Sequence, residues 1–232
     1  MAFRNILTWP NPALKKKSEV ITSFDEDLTA LAHDLYDTMN VVTGVGLAAP
    51  QVGTHQRLVI VDMSQCDMDN PFSTEGFPEN ILVMANPSLE LSGPKHKWME
   101  ACLSVPDSKG LVERHQFAKV TFNTVSGEEK SLELDWPASG VFQHECDHLE
   151  GILYVDRMNR MSRDMLLKRI KKKRKRMAEM RKMMLREEQE ELDRIEGKQP
   201  RSSKMKATHP TKKRKKRPAK KNHLNKKRRK KK

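Results

Sequence analysis

Gln143-His144-Glu145-Cys146-Asp147-His148-Leu149 is the stretch around which the rest of the chain is organised. Pro137 stands six residues ahead of it and suits the first turn of a helix running to about Leu149. On a helix, positions four apart share a face, so His144 and His148 can both reach one metal ion. Glu145 is rotated ~100° from His144 and can meet a metal-bound water from the side. Cys146 sits ~200° round and reads as a packed thiol. The bland alternative is a surface helix with two incidental histidines.

Two histidines leave a catalytic divalent site one protein ligand short. A third histidine of the metzincin kind belongs six residues after His148, where this chain has Tyr154. A downstream glutamate of the zincin kind would have to come from a strongly basic extension, a poor wall for an active site. The missing ligand must come from elsewhere in the chain.

Upstream, Leu28, Leu31, Ala32, Leu35 and Met39 recur at helical spacing after a capping signature of Ser23 and Glu26, which predicts an amphipathic helix from about Asp25 to Asn40. A loop over Thr43-Gly44-Val45-Gly46 follows. Arg57-Leu-Val-Ile-Val-Asp62 reads as a buried strand, and Ile81-Leu-Val-Met84 as another stopped by Asn86-Pro87. Ala118–Phe122 and Ser131–Leu134 read as a hairpin around Ser126-Gly127. Short strands ahead of one central helix predict an α+β fold rather than a doubly wound sheet. Residues 162–196 carry a helical but nearly all-charged pattern with a thin Met/Leu stripe, ended by Gly197 and Pro200. The Lys/Arg-rich sequence beyond cannot bury enough surface to fold alone.

Charge divides along the same line. Residues 1–157 hold 12 Lys and Arg against 23 Asp and Glu, a formal −11; residues 158–232 hold 33 against 8, or +25, and the two sum to the overall +14. An acidic globule thus carries a basic extension, which suggests an anionic partner for the extension. Three cysteines make no disulfide framework. The opening Met-Ala-Phe-Arg-Asn-Ile lacks the apolar run of a signal peptide, and nothing approaches the ~18–20 apolar residues of a membrane span. The expectation is a soluble protein of a reducing compartment, with no membrane partner.

Two further motifs precede the histidine helix: Gly44-Val-Gly-Leu-Ala-Ala-Pro-Gln51 and Glu100-Ala-Cys-Leu-Ser104. With Gln143–Leu149 they resemble, in order, the three signature motifs of peptide deformylases. The resemblance runs from about Phe3 to Arg157 and includes Ile6-Leu-Thr-Trp-Pro10 and Gly151-Ile-Leu-Tyr-Val-Asp-Arg157. It implies a fold in which sheets wrap a central metal-binding helix, and removal of the formyl group from formyl-methionine at the start of new polypeptides. By the same resemblance Cys102, His144 and His148 bind one divalent metal, usually Fe2+, with Zn2+, Ni2+ or Co2+ as substitutes. Glu145 then serves as the base. The Gln51 side chain and the Leu103 backbone N–H donate to the oxyanion. Gly46 lies in the loop that pairs with the substrate backbone. Val45, Trp98 and Val141 are walls of the methionine pocket by position, and Asp147 is left a structural hydrogen bond.

The family pattern usually has Gly where this chain has Ala101. A backbone position needing φ > 0 would strain an alanine there by ~1–2 kcal/mol, whereas a position needing only a small side chain would accept it. The expected organisation is a deformylase-like catalytic domain over 1–158, a charged helix over 159–197 and a basic tail over 198–232. Runs such as Lys171–Arg176 and Lys226–Lys232 point to a polyanion, and a basic C-terminal helix on ribosomal RNA is a theme of the family. The setting expected is a bacterial-type cytoplasm, or an organelle. An inactive deformylase scaffold serving as an RNA-binding protein is the competing reading, with Ala101 its only hint.

Overall fold

The structure, a computed structural model, describes residues 3–196. Its order is helix α1 (Glu26–Val41), strands β1 (Gly46–Ala48), β2 (Leu58–Asp62), β3 (Ile81–Cys102), β4 (Val105–Asn123) and β5 (Glu129–Leu134), then helices α2 (Ala138–Leu149), α3 (Tyr154–Arg157) and α4 (Arg160–Ile195). The five strands form one antiparallel sheet in sequence order. This is the mixed α+β arrangement the sequence predicts. By internal contacts the chain divides into two units, Met1–Glu179 and Met180–Lys232. The basic run expected over 198–232 lies outside the described residues.

The apolar run of β2 is buried on both faces because helices cover both. Val59 and Val61 point, with Leu82 and Met84 of β3, toward Phe142 and Leu149 of α2. Leu58 and Ile60 alternate to the other face, where Leu28, Leu31, Leu35 and Met39 of α1 meet them. α2 packs against β1, β2, β3 and β4, so the sheet folds around it. A third cluster joins Cys102, Val105 and Val112 to Leu153, Tyr154 and Val155.

Three local expectations need correction. The cap of α1 is Asp25, whose side chain accepts from the Leu28 N–H at 3.1 Å. Ser23 instead donates to the Asp25 carboxylate at 2.6 Å. Asn86-Pro87 does not stop β3. The ladder skips from Ala85 to Ser88 and again from Ser92 to Lys95, so Pro87 and Pro94 both fall at bulges that need no ladder N–H. Asn86 takes φ 52° there, and its side chain bonds the Ile21 backbone N–H and C=O at 2.8 and 2.9 Å. β3 and β4 are therefore long ribbons rather than short strands. Part of the thin apolar stripe of α4 is buried: Leu166 and Ile170, one turn apart, are each only 9% exposed and join the third cluster.

Candidate metal centre and active-site cleft

α2 holds His144 and His148 one turn apart with their rings 5.0 Å between centroids. Cys102 is the last residue of β3, paired across a two-residue turn with Val105. That turn brings the Cys102 Sγ to 3.3 Å from His148 Nε2. The candidate ligand atoms of Cys102, His144 and His148 all lie within 4.8 Å of one another, and all three residues are buried. A thiolate and two imidazoles suit a divalent transition metal. Tetrahedral bonds of ~2.0–2.3 Å place neighbouring ligand atoms roughly 3.3–3.7 Å apart, and the sulfur–nitrogen separation falls at that edge. The residues present fit the ion. Tyr154, at the position of a metzincin's third histidine, is not a donor: its hydroxyl lies 2.9 Å from Ser108 Oγ.

A layer of buried charge orients these ligands. Glu100 is two residues before Cys102 on the same strand and so faces the same way. Its Oε2 accepts from His144 Nδ1 at 2.7 Å, which leaves Nε2 free for a metal. Trp98 Nε1 donates to the other carboxylate oxygen at 2.8 Å. The Arg114 guanidinium bonds both Glu100 oxygens at 2.8 and 3.1 Å and reaches Asp147 Oδ2 at 2.6 Å. Arg157 bonds Asp147 from the outside, so Asp147 has the structural role expected of it. Burial alone would raise the Glu100 carboxyl, but the bonds from His144 and Arg114 bring it down to about 2.

His144 and Glu145 open onto a cavity of about 970 Å³ that also exposes Cys102, Gln51 and Leu103. Glu145 is 5% exposed, and its Oε2 is a buried oxygen without a hydrogen-bond partner among the described residues. Burial is the main cause that lifts its carboxyl to about 7. A Cβ on Gly46 would stand 2.8 Å from the Glu145 carboxylate, so this glycine is what lets β1 lie against it. β1 is the terminal strand of the sheet, with its outer edge unpaired by any other described strand. The Gln51 side-chain Oε1 accepts from the Ala48 N–H at 2.9 Å, which fixes the side-chain NH2 toward Cys102 Sγ at 3.7 Å and Ser104 Oγ at 3.2 Å. Val45, Trp98 and Val141 line the same cavity. Nine of the ten residues expected at the site line this cavity, and the tenth, His148, stands behind it with its Nε2 3.3 Å from Cys102 Sγ.

Ala101 also lines the cavity and is paired with Lys109; it is not among the residues with positive φ. The strained-backbone reading of this departure is therefore excluded. Cys146 faces away from the ligands into a separate cavity, and burial pushes its thiol up to about 12. Sequence reasoning did not single out Glu100, Arg114 or Arg169. The i, i+2 spacing of Glu100 and Cys102 carried the signal for the first.

The matches to known proteins run along this same segment. A family profile described as polypeptide deformylase matches residues 3–164. The peptide deformylase of Desulfotalea psychrophila is 37% identical over 172 residues, 74% of this chain and 97% of the relative. That of Brucella suis is 35% identical over 173 residues, 74% of this chain and 94% of the relative. Among solved structures, a peptide deformylase from Legionella pneumophila superposes with a TM-score of 0.67 at 32% identity, covering 76% of this chain and 98% of that one. A Plasmodium falciparum peptide deformylase in complex with an inhibitor gives 0.62 at 30% identity, over 72% and 97%. With the profile spanning most of its length and the relatives covered nearly whole, this chain belongs to the polypeptide deformylase family of metal-dependent hydrolases.

Proposed function

We propose that this chain removes the formyl group from N-terminal formyl-methionine of nascent polypeptides, with Cys102, His144 and His148 holding one divalent ion, Fe2+ by family precedent. The observation that carries the reading is the buried Cys/His/His triangle beside the unpartnered Glu145 oxygen at one cavity. When bound, such an ion supplies Lewis acidity and lowers the pKa of a water towards ~7.

The chain's own residues do the rest. The Glu145 carboxylate takes a proton from the attacking water as its oxygen bonds to the formyl carbon. It returns that proton to the departing amine as the C–N bond breaks, leaving formate and a free α-amino group. Gln51 Nε2 and the Leu103 N–H donate to the oxygen that becomes negative, each worth ~3 kcal/mol in the transition state. The edge of β1 at Gly46 pairs with the substrate backbone, and Val45, Trp98 and Val141 enclose the methionine side chain. Formate release from a formyl-Met peptide, assayed anaerobically with Fe2+ added, tests this. A metal-loaded protein that releases none would favour the inactive-scaffold reading, against which the complete ligand set, base and donors stand.

The finer proposal concerns the partner. Residues 158–232 carry +25 against −11 on the rest, which supports docking on ribosomal RNA at the site of synthesis, in a bacterial-type cytoplasm or an organelle. Tethering would raise the local concentration of formylated N-termini. Co-sedimentation with ribosomes should fall steeply as salt rises, because each neutralised phosphate releases counterions. A flat salt response would end this part.

A further inference from the structure

Most cations of the acidic segment sit on carboxylates, as Arg4 does on Asp34, Lys15 on Asp156 and Arg57 on Glu150. Two cations at the catalytic cavity, one from that segment and one from the basic extension, do not. Lys109 of β4 and Arg169 of α4 both line it. Both are exposed, and neither has an acidic partner among the described residues. The acids that share the cavity are already engaged. Glu100 is held by Arg114 and His144, Asp107 by Lys173 at 2.8 Å, and Glu145 is buried beside the metal ligands.

The cavity also continues past the reacting groups. A second cavity, of about 260 Å³, shares Pro106, Asp107 and Arg169 with the first and runs along α4 to Lys173 and Arg174. The first cavity alone, at about 970 Å³, is at the upper end of what a drug-sized ligand fills (~300–1,000 Å³). It has room for several residues beyond one formyl-methionine, and the side that opens toward α4 is cationic.

Resting on the deformylase reading, we propose that Arg169, assisted by Lys109, forms a subsite for acidic side chains in the substrate a few residues after the methionine. Formyl-methionyl chains with Asp or Glu there are processed in preference to those with Lys. Continuity with the hydrolytic cavity favours a peptide over a nucleic acid as the occupant. Exposed ion pairs are weak, so each contact changes binding by ~2–5-fold. The subsite is remote from the bond that breaks, so the preference appears in KM with kcat little changed. It fades as salt screens the pair.

The test uses full-length, metal-loaded protein and the peptides formyl-Met-Ala-Xaa-Ala-Xaa with Xaa Glu, Gln or Lys, comparing kcat/KM ratios within each variant so that losses of folding cancel. The expected Glu-to-Lys ratio is ~5–10 at low salt, falling toward 1 at high salt. Arg169→Glu should invert it and Arg169→Lys restore it. A ratio within twofold of unity in the wild type, or one that survives Arg169→Glu, overturns the proposal. So does inhibition by a short oligouridylate that Arg169→Glu abolishes without any ranking of peptides, which would assign the groove to RNA. Failure of the wild type on formyl-Met-Ala amide would instead overturn the deformylase reading, and is told apart by that substrate.

Discussion

Gly46→Ala is a perturbation of one methyl group whose consequence can be worked from distances. Gly46 has no positive φ, so alanine meets no backbone strain. The new Cβ would stand 2.8 Å from both Cδ and Oε1 of Glu145 and 2.9 Å from its Cγ. Carbon contacts settle at ~3.5–4.0 Å, so the carboxylate must retreat by roughly 0.7 Å or more. β1 cannot yield in its place cheaply, because Gly46, Leu47 and Ala48 are each paired with β2. A misplacement of ~1 Å can cost ~10²-fold in rate, equivalent to about 2.7 kcal/mol of barrier. The methyl group's close contacts are with Glu145, not with the three metal donors. We therefore expect kcat for formate release to fall ~10²-fold while the metal content stays near one per chain and the fold is kept. Stopped assays of formate, with metal analysis of the same sample, measure both. A Gly46→Ala protein with kcat within threefold of wild type would refute the role given to Glu145 and its seat against β1.

Three further perturbations test the packing. Glu100→Ala should weaken metal affinity ~10–100-fold by freeing the His144 ring, read by competition with a chelator. It should also cost ~3–5 kcal/mol in urea unfolding, because it leaves the Arg114 guanidinium, only 3% exposed, without its main partner. Ending the chain after Glu179 should leave stability and peptide hydrolysis near wild type, since that residue closes the first unit. Ending it after Arg160 should cost roughly 3–6 kcal/mol, because it removes Leu166 and Ile170 and the apolar burial they contribute to the third cluster.

How much of this was legible beforehand depends on the range of the interaction. The α1 and β2 patterns were legible because each buries a contiguous apolar set, and α2 because its two histidines share a helical face. The β3–β4 ribbon was not. From Leu91 to Lys95 the side chains of β3 are exposed, so no apolar alternation marks it, and Pro87 and Pro94 mimic stops while standing at bulges. The site's donors could be named from motifs, but the Arg114 link between Glu100 and Asp147 joins residues 14 and 33 positions away. Only the fold brings them together. In α4 the Leu166/Ile170 pair is visible at i, i+4, yet the surrounding cations hide it.

The account's central claim is that Glu145 moves the proton while Cys102, His144 and His148 hold the ion. Glu145→Gln separates the two, because it keeps the ligand set and the shape of the side chain and removes the proton acceptor. Formate release from a formyl-Met peptide, measured beside metal content on the same preparation, should show about one ion per chain and turnover reduced ~10²–10⁴-fold. Near-wild-type turnover by a metal-loaded Glu145→Gln protein would contradict it.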